Sequence, residues 1–153
     1  MLKQQYELVL FSRETILDYI KTISQEDFTC DNSAFGKGSI RNLLVHICDT
    51  YSSWIAERGL GLPLTYPAFE NYPTLNDCIE YFNRVNLSID QFLNQFKGNY
   101  QKEIQIVRNG TTTNISALQL FTHVITHEFH HKGQIMSLSR ILGYTPVDAD
   151  IIR

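Results

Sequence analysis

Four of the chain's five histidines, His123, His127, His130 and His131, stand on one stretch of helical periodicity from Ala117 to Leu142. Ser116 is a good N-cap for that helix, and Gly143 followed by Pro146 ends it. At about 100° per residue, Leu120, Val124, His127, His131, Ile135 and Leu138 fall on one inward stripe, with the two imidazoles near its middle. Whatever fold the chain adopts must therefore accept two buried polar rings, which cost a few kcal/mol if nothing satisfies them.

The rest of the sequence supplies partners for that helix. Leu2, Tyr6, Val9, Leu10, Ile16, Leu17 and Ile20 make an apolar stripe on a first helix running to about Ser24. Ser39 caps a second helix that carries Ile40, Leu44, Ile47, Tyr51 and Trp54 on one side and stops at Gly59. Residues 61–73, GLPLTYPAFENYP, have no period and three prolines, so they read as a long crossover. Thr74 caps a third helix of Leu75, Ile79, Phe82, Val85, Ile89, Leu93 and Phe96, ending by Gly98. Between Tyr100 and Ile115 the alternation around Ile104 and Ile106, with the turn pair Asn109-Gly110, predicts a small extended excursion. The expectation is an all-α four-helix bundle with a long crossover between helices two and three and that excursion before helix four.

At 153 residues and 43% hydrophobic content, one domain over residues 1–153 with one core is expected. No stretch approaches the roughly eighteen apolar residues of a membrane span, and no targeting segment is read at the N-terminus, so the expectation is a cytoplasmic protein with no membrane partner. Cys30, Cys48 and Cys78 have no C-x-x-C spacing and read as buried free thiols. A net charge of -3 without a long Lys/Arg run argues against nucleic acid and for a small-molecule partner.

His127 and His131, four apart, lie about 6 Å apart along the axis and about 40° apart around it, so both rings reach one ion. His46, on the second helix at the edge of its apolar stripe beside Leu43 and Thr50, is the only histidine elsewhere and completes a three-imidazole set. Three imidazoles with open positions make a catalytic type of metal environment. His123 competes for a ligand role, but His131 is better centred; His123 then suits a hydrogen-bond partner, as does Gln134 on the inward side. Gly133 is expected to permit close packing or the approach of a ligand. Trp54, Tyr51 and Phe121 read as plain core.

HVITHEFHHKGQI, LLVHICDTYSSWI and the terminal LGYTPVDAD together resemble the DinB-like family of metal-binding four-helix bundles over the whole chain. The resemblance implies His46, His127 and His131 as ligands of one divalent ion, zinc, nickel or iron, and a homodimer. Lys132 stands where arginine is common before the Gly-Gln pair. Some relatives use low-molecular-weight thiols such as bacillithiol and mycothiol, which implies a thiol-dependent S-transferase or isomerase. No catalytic residue is assigned by the sequence.

Two other readings use the same histidines. A non-catalytic metal-binding or sensing protein needs the ligands and no substrate pocket; a pocket open to solvent beside the metal favours the enzyme, a closed four-ligand site the binder. His127-Glu128-Phe129-His130-His131 also satisfies the H-E-x-x-H pattern of zinc proteases. Gln134 and Ser137 stand where the metzincin extension needs glycine and histidine, and no glutamate follows Glu128. Glu128 points about 100° from His127 and is expected to be solvated or to pack between helices.

Overall fold

The computed structural model describes residues 1–153 and is mostly helical. The helices are α1 (Leu2–Ile20), α2 (Gln25–Thr29), α3 (Ile40–Tyr51), α4 (Leu75–Gln95) and α5 (Ala117–Ile141). A two-stranded antiparallel sheet, β1 (Glu103–Arg108) and β2 (Thr111–Ser116), precedes α5. No helix is long and apolar enough to cross a membrane.

The caps read from the sequence start the elements where expected. Ser39 Oγ accepts the Asn42 amide, and Thr74 and Ser116 each form a reciprocal capping box, with Asp77 and Gln119 respectively. The first helix is the exception: α1 ends at Ile20, not near Ser24. Ser24 Oγ accepts the Asp27 amide and so caps the separate short α2, whose Phe28 is buried. The capping geometry requires Ser24 to be extended, and a helix cannot pass through it.

The second expected helix also divides. α3 passes without a break into a wider π-helical segment, Ser52–Gly59. There the Arg58 guanidinium donates to the carbonyl oxygen of Ser53 at 2.9 Å and to its hydroxyl. Gly59 closes the segment against α4, where a Cβ would lie 2.7 Å from Phe92 Cε2, so the close approach itself requires glycine. The crossover that follows contains one short turn, Phe69–Asn71, and anchors itself by stacking Tyr72 on Tyr81 of α4, centroids 5.1 Å apart.

The excursion before α5 is a hairpin in which Glu103 pairs with Ser116 and Arg108 with Thr111. Asn109 (φ 50°) and Gly110 (φ 75°) both take the left-handed conformation that a two-residue hairpin turn needs. Ile106 points inward and is buried, and Ser116 both ends β2 and caps α5. The hairpin is thus tied directly to the first turn of the histidine helix.

One cluster of 32 buried hydrophobic residues draws on α1, α3, α4 and α5 and on the short elements between them. Cys48 and Cys78 are in it, whereas Cys30 is exposed, contrary to the expectation of three buried thiols. Cys30 sits just beyond α2, at the edge of the polar loop, where no helix covers it.

Candidate metal centre

α3 packs along α5, and their contact brings His46 against His127 and His131. One ligand nitrogen from each of the three rings lies within 4.8 Å of the others. The ring centroids are 5.0 Å apart for His46 and His127, 4.7 Å for His46 and His131, and 4.3 Å for His127 and His131. His131 is buried; His46 and His127 are half-buried and leave the cluster open on one side.

The donor set fits a divalent ion. His131 Nδ1 lies 2.6 Å from Gln134 Oε1, an acceptor, so Nδ1 carries the proton and the Nε2 lone pair faces inward. That Nε2 is 3.1 Å from His127 Nε2. Two nitrogens on a tetrahedral zinc with bonds of about 2.0–2.1 Å lie roughly 3.3 Å apart, close to this spacing. His127 Nδ1 is buried with no partner, so another imidazole is the only polar group that ring meets. Burial holds His46 down to about 4, with the Lys37 and His131 charges adding, and His127 down to about 3, with His131 and His46 adding. His131 is lowered as well, again chiefly by burial. All three are therefore neutral at pH 7, the form that binds metal.

His123 is outside the cluster. It is exposed, with its ring 5.0 Å from Trp54 and 5.9 Å from His127, and makes no hydrogen bond to a ligand ring. His130 is also exposed and meets His131 edge to face, centroids 4.9 Å apart.

Of the two expectations for Glu128, packing between helices holds and solvation does not: it is fully buried, about 100° round α5 from His127. Its carboxylate accepts Arg13 Nε at 2.9 Å, Arg13 Nη2 at 2.8 Å and the Tyr51 hydroxyl at 2.5 Å, and lies 2.9 Å from Lys132 Nζ. Burial alone would raise its pKa; Arg13, Lys132 and Tyr51 overcome that and hold it at about 2. A carboxylate locked between two buried cations and turned from the histidines is no general base, which removes the structural basis for the protease reading. The inward face of α5 is wider than its apolar residues suggest, running from Leu120 and Leu138 round to Ile125 and Lys132. Glu128 lies near its middle and His127 at its edge, which is why the histidine site reaches solvent.

Beside His46 a cavity of about 300 Å³ opens outward, lined by Asp49, Thr50, Ser53, Trp54 and Tyr66. Tyr51 and Phe121 are core as expected, but Trp54 is a wall of this cavity. Asp49 was legible, standing three residues after His46 on the same helical face. Tyr66 comes from the aperiodic crossover and carried no signal. Gly133 has nothing within 4 Å of a built Cβ, so close packing does not explain it; it lines a cavity with Phe129, Met136 and Val147 on another side of α5.

The sequence model of the DinB family matches residues 1–153. The chain is also similar to the uncharacterized protein YizA of Bacillus subtilis (strain 168), 30% identical over 119 residues that cover 75% of this chain and 74% of YizA.

Proposed function

The chain belongs to the DinB family, and from that premise we propose that it is a metal-dependent enzyme of thiol chemistry, an S-transferase or isomerase using a low-molecular-weight thiol. His46, His127 and His131 would hold one divalent ion, zinc, nickel or iron, in a single four-helix-bundle domain formed by α1, α3 with its π-helical extension, α4 and α5. When bound, the ion supplies Lewis acidity that favours a thiolate over a thiol at neutral pH. The chain's own residues do the rest: Gln134 fixes the tautomer and orientation of His131, and Asp49, Thr50 and Ser53 present polar groups to whatever enters beside His46.

The observation that carries this reading is the open cavity next to a three-nitrogen cluster. A protein that only stores or senses a metal is served by closing the fourth position with a side chain, and none closes it here. The non-catalytic alternative keeps the same ligands and differs in having no turnover. Elemental analysis of protein purified without added metal, then a screen of thiols against electrophiles, separates them. Turnover lost in His131→Ala supports the enzyme; metal bound stoichiometrically with no transfer or isomerisation across the screen supports the binder.

Pairing with a second copy, a small-molecule substrate and a cytoplasmic setting belong to the same proposal. Three unpaired cysteines, one of them exposed, suit a reducing compartment. Light scattering at micromolar concentration is expected to give twice the chain mass, and a monomer mass would count against the pairing.

A further inference from the structure

The three candidate ligands come from two helices, His46 from α3 and His127 and His131 from α5. Gln134 holds the His131 ring, whereas the His46 ring makes no hydrogen bond within the protein. Its distance from the other two rings is therefore set by how α3 lies on α5. Apolar packing between helices is non-directional and specifies slide and rotation only loosely. One side-chain hydrogen bond crosses from α3 to α5: the hydroxyl of Tyr51, the last residue of α3, donates to Glu128 Oε2 at 2.5 Å. Both residues are buried, and a hydroxyl on a carboxylate is among the stronger hydrogen bonds a protein makes.

The bond is well placed to key the two helices together. Tyr51 lies five residues beyond His46, about 7.5 Å along α3 and about 140° around it. Glu128 directly follows His127 on α5, and Lys132, which lies 2.9 Å from Glu128, directly follows His131. The histidines thus meet at the half-buried edge of the α3–α5 contact while Tyr51 meets Glu128 in the core. Two separated contacts fix slide and rotation together. Arg13 of α1 grips the same carboxylate at 2.9 and 2.8 Å, so the acceptor is a fixed point to which Tyr51 ties α3. The other hydroxyl of this cluster makes no such bridge. Tyr6 accepts Arg13 Nη2 at 3.2 Å and donates to Asn86 at 2.8 Å, which ties α1 to α4 and touches neither ligand-bearing helix.

We propose that Tyr51 is a positioning residue for the metal centre: its bond to Glu128 sets the register of α3 on α5 that keeps His46 in reach of an ion held by His127 and His131. The consequence for metal rests on the reading of that site given above, but the register is a property of the metal-free chain as well. Tyr51 itself touches neither the ion nor its ligands.

Tyr51→Phe removes the hydroxyl and keeps the ring, and Glu128 retains Arg13 and Lys132. Tyr6→Phe takes the other hydroxyl from the same cluster and is the matched control. Cobalt(II) is titrated into the parent and both variants with its visible absorption followed, and the histidine rings of the metal-free proteins are observed by NMR. Tyr51→Phe should bind cobalt about tenfold more weakly, the lower end of the loss on removing a group that orients metal ligands. Its cobalt absorption should change in shape, and its His46 and His127 ring signals should move in the metal-free protein. Tyr6→Phe should match the parent in all three, even where its melting temperature falls. A Tyr51→Phe protein with the parent's affinity and spectrum, an equal loss of cobalt in Tyr6→Phe, or a Tyr51→Phe chain that does not fold would overturn the proposal, because the hydroxyl would then serve stability alone. A parent that takes up no cobalt defeats the metal reading instead, and the ring signals then decide the register: shifts confined to Tyr51→Phe uphold it, and unmoved signals overturn it.

Discussion

Glu128 is the residue on which the histidine helix turns. It sits next to His127 in sequence but is turned about 100° from it, into Arg13, Lys132 and Tyr51, and that ion-paired contact helps fix the rotation of α5. Removing the carboxylate strands two buried cations; Glu128→Ala is expected to cost about 3–5 kcal/mol, and the melting temperature to fall by roughly 10 °C or more. Replacing Arg13 by methionine should cost less than Glu128→Ala, because Lys132 still faces the carboxylate. A thermal melt of Glu128→Ala within a degree or two of the parent would show that the buried pair does not hold the helix. The same contrast holds among the histidines. His127→Ala should lose metal severely, whereas His130→Ala, exposed and outside the cluster, should keep the parent's metal content.

Between α3 and the crossover, the π-helical segment Ser52–Gly59 carries Ser53 and Trp54 to the cavity and Ile55, Ala56 and Gly59 to the core. Gly59→Ala places a methyl group against Phe92, an overpacking of about 1–3 kcal/mol, and is expected to lower the melting temperature measurably. An unchanged melt would mean that Phe92 yields freely. Element starts were legible because Ser39, Thr74 and Ser116 are caps followed by apolar periodicity, and the hairpin because Asn109-Gly110 suits its turn alone. The π turn was not, since one extra residue per turn changes hydrogen bonding without changing composition. The three histidines brought together were visible as a spacing on one helix and a lone histidine on another. For Glu128 the sequence left solvation and helix packing both open, because a buried charge is invisible until its partner Arg13, 115 residues away in sequence, is brought beside it.

Across the whole molecule the core of α1, α3, α4 and α5 is extensive enough that the fold should survive without the ion, which then adds stability by binding the native state alone. Circular dichroism should show helix retained on chelation and the melting temperature lowered; complete loss of helix would make the ion structural. The metal-free protein should also respond to acid. His46 and His127 are held at about 4 and about 3 against an ordinary 6.5, so the unfolded chain takes up these protons first. Their contribution is complete above about pH 6.5 and is lost as pH falls through 4 to 3. Glu128, at about 2 against an ordinary 4.5, adds a second loss below about pH 4.5. Melts from pH 8 to pH 3.5 should be level and then decline below 6.5, with a shallower first decline in His46→Gln; a flat profile to pH 4.5 would contradict the burial of these rings. The central claim is that one ion sits between α3 and α5 on His46, His127 and His131, and metal content per chain after matched purification of the parent and His131→Ala tests it most directly. The account predicts close to one divalent ion in the parent and a severe loss in the variant; full occupancy in His131→Ala, or no ion in a parent offered zinc, nickel and iron, would contradict it.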